Sequence, residues 1–374
     1  MSEPESAVRA EVIIDLSAIR HNVAHLRATV APAALMVVVK ADGYGHGMAQ
    51  VAGAARGAGA DWLGVATLDE AVALRDAGDE GRLLCWMAVP GEDYRPALER
   101  DVDVSAYSAD QIAAIDAVAA ELGVTARVQL KFDTGLSRGG AARAQWQELI
   151  DAAVSAQHVE VTGLWSHFAC SDEPAHPAND AQETAFREAV ALAEAAGIDP
   201  EVRHLANSAG ALLRPSARFD MVRCGIASYG LTPAPAVASS TDLGLVPAMT
   251  VRARIVIGKD IEAGAGVSYG HTFIAPAPMR VGVVPMGYAD GIPRHASRTA
   301  QVQVNGARAD LLGTVCMDQF VIGAEGVTAG DDVVLFGTGA DDEPTAQEWA
   351  DWCGTISYEI VTRMRGRATR VWRG

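Results

Sequence analysis

Residues 36–47 read MVVVKADGYGHG, and this stretch decides how the chain folds. Four apolar residues end abruptly in Lys40, and a loop with three glycines follows. A continuous apolar run is typical of a strand that is buried on both faces in a parallel sheet. A lysine at the end of such a strand predicts a functional position, because chemistry collects at the carboxyl ends of parallel strands in barrel enzymes.

Seven similar apolar runs follow, and helical patterns separate most of them. Eight strand–helix units over about 230 residues favour an α/β fold with an N-terminal (β/α)8 TIM-type barrel over residues 12–240. A doubly wound open sheet is the alternative. The eight candidate strands are residues 35–40, 62–67, 82–88, 103–107, 127–133, 161–168, 202–207 and 221–229.

The pattern changes after residue 240. Residues 241–374 contain short apolar runs separated by Gly, Asp and Asn turns, with no helical pattern until TAQEWADWC near the end. This arrangement predicts a C-terminal, mainly antiparallel β domain. A strand-like segment within residues 1–16 is predicted to join it.

The basic residues are almost all arginine. Among the 30 lysines and arginines, lysine occurs only at Lys40, Lys131 and Lys259. Lysine can lose its proton and form an imine, which arginine cannot readily do. Lys40 and Lys131 fall near strand ends and are therefore candidates for amine chemistry, whereas Lys259 in IGKDIEAG is expected on the surface.

Composition narrows the possible partners and compartment. The net charge of −17 disfavours nucleic acid and anionic membranes. The five cysteines are scattered without a metal-ligand spacing, which predicts a reduced, cytoplasmic protein with no metal site. The acidic N-terminus is not typical of a signal peptide, and no apolar run approaches the ~18 residues of a membrane span.

One barrel mouth would gather Lys40, Lys131, His167, Ser208 and Arg223. The glycine-rich loops beside these residues offer backbone N–H groups of the kind that bind phosphate. An amine nucleophile next to a phosphate cradle suggests pyridoxal 5′-phosphate (PLP) held covalently on Lys40.

The same stretch resembles the PLP-lysine motif of the alanine racemase family, and further blocks resemble that family in its own order. This resemblance implies a PLP-dependent enzyme that interconverts L-alanine and D-alanine, supplies D-alanine for peptidoglycan, and works as a homodimer with shared active sites. The further blocks are LKFDTGLSRGG, GLWSHFACSD, HLANSAG, MVRCGIASYGL, GVSYGHTF, GYADGIPR, GTVCMDQF and TISYEIVTRM.

The resemblance also implies residue roles for the chemistry. Lys40 and Tyr269 of the partner subunit are the two bases. Arg223 hydrogen-bonds the pyridine nitrogen of PLP, and Arg138 contacts its phenolic oxygen. Lys131 matches a position that is carbamylated in many members and then orients Arg138. Free tyrosine has a pKa of ~10, so a chain from His167 to Arg223 is expected to favour the phenolate of Tyr269.

The remaining roles concern binding. Met317 is expected to donate a backbone N–H to the substrate carboxylate across the subunit interface, and Tyr288 to line the approach to the site. The residues expected to hold the cofactor, in addition to Lys40 and Arg223, are Tyr44, Asn207, Ser208, Gly225, Ile226 and Tyr358.

Four positions depart from the usual family pattern and leave substrate breadth open, and they are Cys224, Ser137, Ile292 and Thr314. A serine or broad-specificity racemase would use the same catalytic residues. A PLP decarboxylase lacks the VSYG block, and a non-catalytic PLP homeostasis protein resembles the barrel alone, so both are disfavoured.

Taken singly, Lys131 could be an ion-pair partner of Asp133, His167 could be a core histidine, and Tyr269 could be an ordinary strand residue.

Overall fold

The computed structural model of the protein describes residues 8–374. Strand β1 (Ala10–Asp15) leads directly into helix α1 (Leu16–Val30), because the Asp15 carboxylate accepts from the backbone N–H groups of Ser17 and Ala18. Eight parallel strands follow in one sheet. They are β2 (Ala34–Val38), β3 (Trp62–Val65), β4 (Arg82–Cys85), β5 (Asp103–Ala106), β6 (Ala126–Lys131), β7 (Val159–Trp165), β8 (Val202–His204) and β9 (Met221–Cys224).

The parallel sheet curls into a barrel. Strands β2 to β8 are neighbours in chain order, and β9 returns to pair with β2. Backbone hydrogen bonds from Asp220 N to Arg203 O (3.1 Å) and from Arg223 N to Ala206 O (3.0 Å) bring β8 and β9 together. The predicted (β/α)8 barrel is confirmed, and the alternative of an open sheet is wrong.

Helices surround the barrel, and their ends follow local sequence signals. For example, the Ser108 side chain accepts from Gln111 N at the start of the fifth helix, which ends where Gly123 takes a φ of 68°. The helices between barrel strands are α2 (Met48–Gly57), α3 (Leu68–Asp76), α4 (Arg95–Leu98), α5 (Ala109–Leu122), α6 (Trp146–Ser155), α7 (Ala178–Ala195) and α8 (Ser208–Leu213).

The rest of the chain forms a second, mostly antiparallel sheet, as predicted. Its strands, besides β1, are β10 (Met249–Arg254), β11 (Ile257–Ile261), β14 (Met279–Val284), β15 (Gln301–Val304), β16 (Ala307–Leu312), β17 (Phe320–Gly323), β18 (Asp332–Phe336) and β19 (Thr369–Arg373). They are hydrogen-bonded in the order β11-β14-β17-β16-β15-β18-β10-β1-β19. Two short strands, β12 (Gly266–Val267) and β13 (Phe273–Ile274), pair only with each other.

Strand β1 lies inside this second sheet, antiparallel to β10 and parallel to β19. Residues 1–7 of the segment expected to join the β domain lie outside the described residues. The predicted boundaries at 12–240 and 241–374 remain predictions. Buried apolar residues of both sheets form one continuous cluster, so the two layers pack firmly together.

Two further helices, α9 (Ala346–Cys353) and α10 (Ser357–Arg363), follow β18. Helix α10 contributes side chains to the mouth of the barrel. Within residues 8–374, no helix combines the length and the apolar character needed to cross a bilayer.

Candidate active site

A cavity of about 490 Å³ opens at the carboxyl ends of the barrel strands. It brings together most of the residues that the sequence singled out. Those lining it are Lys40, Tyr44, Lys131, Arg138, His167, Asn207, Ser208, Arg223, Gly225, Ile226 and Tyr358. Sequence reasoning did not name the other lining residues, which are Val38, Ala41, Trp86, Trp165, Glu359 and Thr362.

The turn after Lys40 has an unusual backbone. Ala41, Asp42, Gly43 and Tyr44 all have positive φ, between 53° and 59°. A left-handed conformation costs about 1–2 kcal/mol for each residue that carries a Cβ. Hydrogen bonds from Gly43 N to Val39 O (2.8 Å) and from Gly45 N to Ala41 O (3.0 Å) close the turn. The sequence predicted a flexible turn here, whereas the structure has a tight left-handed turn.

His46 supports this turn from the interior. Its Nδ1 lies 3.1 Å from Gly43 O and 3.0 Å from Tyr44 O. Carbonyl oxygens only accept, so Nδ1 carries the proton and donates to them. Burial lowers the pKa of His46 to about 4, and the imidazole is therefore neutral near pH 7.

The amine of Lys40 has a lowered pKa. Burial is the main cause, and the positive charges of Arg138 and Arg223 add to it, while Glu70 opposes the shift. The lysine Nζ lies 5.6 Å from the ring centroid of Trp86. A larger fraction of neutral amine makes Lys40 a better nucleophile and base.

Glu70 contacts the lysine turn and was missed by the sequence reasoning. Its carboxylate accepts from Ala41 N at 2.6 Å with one oxygen and from Ala66 N at 2.9 Å with the other. The same side chain completes a capping box with Thr67 at the start of α3. The capping box could have been read from the T-x-x-E spacing, but the contact with residue 41 requires the tertiary fold.

Arg223 is buried at the base of the cavity and binds two imidazoles. Its guanidinium donates to Nδ1 of His204 (2.8 Å) and Nδ1 of His167 (3.0 Å). It also donates to the backbone oxygens of Ser166 (2.8 Å) and Leu205 (3.1 Å). Burial lowers the pKa of Arg223 to about 9, so the guanidinium stays charged near neutral pH.

Both imidazoles beside Arg223 are neutral. Burial is the largest cause that lowers the pKa of His167 and of His204 well below the usual value, and the charge of Arg223 lowers both further. His204 Nε2 donates to Gln129 Oε1 at 2.7 Å, and the imidazole stacks on Trp165 with ring centroids 5.6 Å apart. Sequence reasoning gave His204 no role, but in the structure it fixes the orientation of Arg223.

Lys131 faces the same cavity. Its Nζ lies 4.2 Å from the ring centroid of Trp165. Burial first, and then the charges of Arg223, Arg138 and Lys40, lower the pKa of Lys131 to about 8. Asp133 accepts from the backbone N–H groups of Gly135 (2.9 Å) and Ser137 (3.1 Å), so it shapes the loop that carries Arg138.

A small polar cradle forms the side of the cavity beneath Tyr44. The Ser208 hydroxyl accepts from Gly225 N at 3.0 Å. A Cβ on Gly225 would lie 2.3 Å from the Tyr44 hydroxyl oxygen, so only glycine allows the phenol to approach this backbone. Asn207 caps α8 by accepting from Gly210 N at 3.0 Å, which places the N-terminus of that helix beside the cradle.

We expect Gly225→Ala to weaken the binding of a phosphate-bearing cofactor by roughly 5- to 150-fold, since overpacking a tight site costs about 1–3 kcal/mol. The added methyl must displace the buried Tyr44 ring. Titration of the apoprotein with PLP, followed by fluorescence quenching, measures the effect. Gly53→Ala in α2 is the matched control, because a Cβ there meets nothing within 4 Å. Equal PLP affinity in the two variants would contradict the cradle.

Three predicted site residues lie outside this cavity. Tyr269, Met317 and Tyr288 are 76%, 53% and 41% exposed on the β domain. Backbone hydrogen bonds connect their segments, from Tyr288 N to Cys316 O and from Ala289 N to Met317 O, both at 3.0 Å. Thr314 Oγ1 also donates to Tyr269 O at 3.0 Å. The three exposed residues therefore lie on connected segments of the β domain, and we call Tyr269, Tyr288 and Met317 the tyrosine patch.

Nearly the whole chain matches the two domains of one known family. Residues 14–233 match the N-terminal domain of alanine racemase, and residues 248–372 match its C-terminal domain. The chain belongs to the alanine racemase family. The first matched region contains the cavity residues up to Ile226, and the second contains Tyr358 and the tyrosine patch, so the two matches together include the whole candidate site.

Individual relatives are similar over nearly the whole chain. The alanine racemase of Streptomyces coelicolor is 49% identical, with 99% of this chain and 97% of the relative covered. That of Salinispora tropica is 51% identical, with 95% of each covered. The crystal structure of alanine racemase from D-cycloserine-producing Streptomyces lavendulae is 49% identical, covers 99% of this chain and 98% of its own, and superposes with a TM-score of 0.97.

The residues of the cavity do not form a metal centre. No group of three or more His, Cys, Asp or Glu side chains with a suitable arrangement occurs between residues 8 and 374. The charged groups that dominate the cavity are the four cations Lys40, Lys131, Arg138 and Arg223. Such a cavity suits an anionic organic cofactor or substrate.

Proposed function

We propose that the protein is a PLP-dependent racemase that interconverts L-alanine and D-alanine with two bases. The observation that carries this proposal is the amine of Lys40, which has a lowered pKa and lies in a cationic cavity beside Arg223. The membership of the chain in the alanine racemase family supports the substrate. In the cell, we propose a cytoplasmic role in supplying D-alanine for peptidoglycan.

The residues present fit PLP. Lys40 offers the attachment point, and Ser208, Gly225 and Tyr44 form a cradle of the right chemistry for a phosphate. The lining cations would balance the negative charges of the cofactor. When bound, PLP withdraws electrons from Cα of an attached amino acid and so acidifies its proton.

Arg223 would hold the pyridine nitrogen by donating a hydrogen bond without handing over its proton. Its own donors are otherwise bonded to His167, His204 and backbone oxygens, so its position is well defined. An arginine leaves the ring nitrogen less positive than a carboxylic acid partner would. We infer that this limits electron withdrawal and disfavours transamination as a side reaction.

Racemisation needs a proton taken from one face of Cα and another returned on the opposite face. Lys40 would serve one face, and the phenol of Tyr269 would serve the other. Within one protomer Tyr269 does not line the cavity and is largely exposed. We therefore propose a homodimer in which the partner presents its tyrosine patch to this cavity, with Met317 N–H binding the substrate carboxylate and Tyr288 lining the approach.

The shared-site proposal predicts complementation between two inactive variants. Lys40→Ala and Tyr269→Phe homodimers should both be nearly inactive. After mixing, unfolding and reassembly, one site of each heterodimer contains both bases, so racemase activity should return toward about a quarter of wild type if subunits pair at random. Each variant reassembled alone is the control. Heterodimers verified by mass spectrometry without recovered activity would contradict shared sites.

We also propose that CO2 adds to the neutral amine of Lys131 and gives a carbamate and a proton. The lowered pKa of Lys131, about 8, and the three other cations around it favour a modification that replaces its positive charge with a negative one. The carbamate would accept from Arg138 and fix its position. A carbonyl signal from 13C-bicarbonate that disappears in Lys131→Ala tests this modification, and an unchanged signal would refute it.

The assay that tests the function uses the purified, PLP-loaded protein with L-alanine, D-alanine and L-serine. We expect racemisation of both alanine enantiomers, with a higher kcat/KM for L-alanine than for L-serine. Equal or greater activity toward serine would favour the broad-specificity alternative, which the departures at Cys224 and Thr314 left open. PLP binding without any racemisation would instead favour a homeostasis protein.

A further inference from the structure

The left-handed turn after Lys40 is held from outside by the last strand of the chain. Asp42 is at the centre of these contacts. Its Oδ1 accepts from Met48 N at 2.9 Å, which starts helix α2, and its Oδ2 pairs with Arg370 at 2.6 Å. Arg370 belongs to β19 and lies 328 positions after Asp42 in the sequence.

A second contact comes from the same strand. The indole Nε1–H of Trp372 donates to His46 O at 2.8 Å. A Cβ on Gly47 would lie 2.8 Å from the Trp372 ring, so the indole packs directly on the backbone of the turn. Arg370 and Trp372 are two residues apart and therefore point to the same face of β19.

The register of β19 is well determined. It pairs in parallel with β1, with Val12 opposite Arg370 and Ile14 opposite Trp372. Val12 and Ile14 are fully buried in the core. A slip of one residue would turn Arg370 and Trp372 away from the turn, so the core of the β sheet sets the position of both side chains.

We propose that Arg370 and Trp372 are positioning residues for Lys40. This inference rests on the proposed function, because it assigns Lys40 as the reacting amine. The strained residues 41, 42 and 44 would relax toward ordinary φ values if the surrounding contacts were lost. Lys40 directly precedes them, so relaxation of the turn would move the amine away from the position it needs. Tyr44 would move with the turn, while Ser208, Arg223 and Gly225, which belong to other segments of the barrel, would stay in place.

The test compares Arg370→Ala, Asp42→Asn and the double variant as PLP-loaded, full-length proteins. Asparagine keeps an oxygen for Met48 N–H and tolerates a positive φ, so Asp42→Asn removes mainly the charged pair. We expect kcat to fall by roughly 10- to 100-fold in each single variant, with KM for alanine changed less than about threefold. The double variant should be no worse than the poorer single variant, because the two side chains act through one contact.

A second measurement follows the turn itself. Hydrogen exchange of the backbone amides of residues 43–47 should accelerate in Arg370→Ala, and Arg370→Lys should restore part of the protection and part of kcat. Arg373→Ala is the matched control, because Arg373 lies on β19 but is exposed and on the opposite face from Arg370. Its exchange pattern and kcat should match wild type.

Several outcomes would overturn the proposal. Arg370→Ala with wild-type kcat and wild-type exchange in the turn would do so, and so would losses that multiply in the double variant. If Arg370→Ala unfolds, Trp372→Phe takes its place, since it keeps an aromatic ring on this face of β19 but removes the N–H donor to His46 O and the indole atoms nearest Gly47. Unchanged exchange at residues 46–48 in that variant would reject the positioning role of Arg370 and Trp372. An inactive wild-type protein would refute the racemase function, while the exchange data would still test that positioning role.

Discussion

Lys40→Arg should abolish racemisation and leave PLP without a covalent attachment. Arginine keeps the positive charge, but it cannot form an imine or act as a base near neutral pH. Because the proposed function gives Lys40 both the attachment and one of the bases, we expect kcat to fall by at least the ~10²–10⁴-fold that loss of one general base costs.

Borohydride reduction followed by mass spectrometry of the peptide that contains residue 40 measures the attachment. Lys259→Arg is the matched control, because Lys259 lies exposed on β11. The control should retain activity and show the PLP adduct on Lys40. If Lys40→Arg still carries a reduced PLP adduct elsewhere and still racemises alanine, another amine is the attachment point and the assignment of Lys40 is wrong.

Removing the phenol at position 269 should affect the two alanine enantiomers unequally. The proposed two-base reaction assigns the Cα proton of D-alanine to Lys40 and that of L-alanine to Tyr269. Tyr269→Ala leaves Lys40 and the cavity intact, since Tyr269 lies outside the cavity of its own protomer. Exchange of the Cα proton of D-alanine with D2O should therefore continue, whereas exchange from L-alanine should fall by roughly 10²–10⁴-fold.

Proton NMR in D2O with each enantiomer separately measures this asymmetry, with PLP content checked by absorbance. Tyr269→Phe serves as the comparison, because it keeps the ring and removes only the hydroxyl. It should behave like Tyr269→Ala if the hydroxyl is the base. Equal loss of exchange from both enantiomers, with PLP retained, would leave Tyr269 as a positioning residue and would refute the two-base assignment.

Much of the fold followed from local patterns in the sequence. Continuous apolar runs such as residues 35–38 predict buried parallel strands, and their alternation with helical patterns predicts the barrel. The scarcity of lysine was equally informative about the site, because Lys40 and Lys131 stand at strand ends in a chain whose one other lysine is Lys259. Both amines do line the same cavity in the structure.

Other features were decided only by the tertiary structure. The pKa shifts of Lys40 and Lys131 arise from burial and from arginines that are distant in sequence. The roles of His204 around Arg223 and of Glu70 at the lysine turn depend on side chains that meet across different strands and loops. No local pattern encodes such contacts.

The backbone of the turn after Lys40 shows most clearly which features the sequence determined and which the tertiary structure decided. The glycines at 43, 45 and 47 predicted a turn, and the sequence by itself determined where it lies. Its left-handed conformation at Ala41, Asp42 and Tyr44 is unfavourable for these residues alone. In the structure, Glu70 and two residues of β19, Arg370 and Trp372, make hydrogen bonds to this turn. A strained conformation of this kind persists only when distant parts of the fold supply the compensating interactions, so tertiary packing decided the geometry at Lys40.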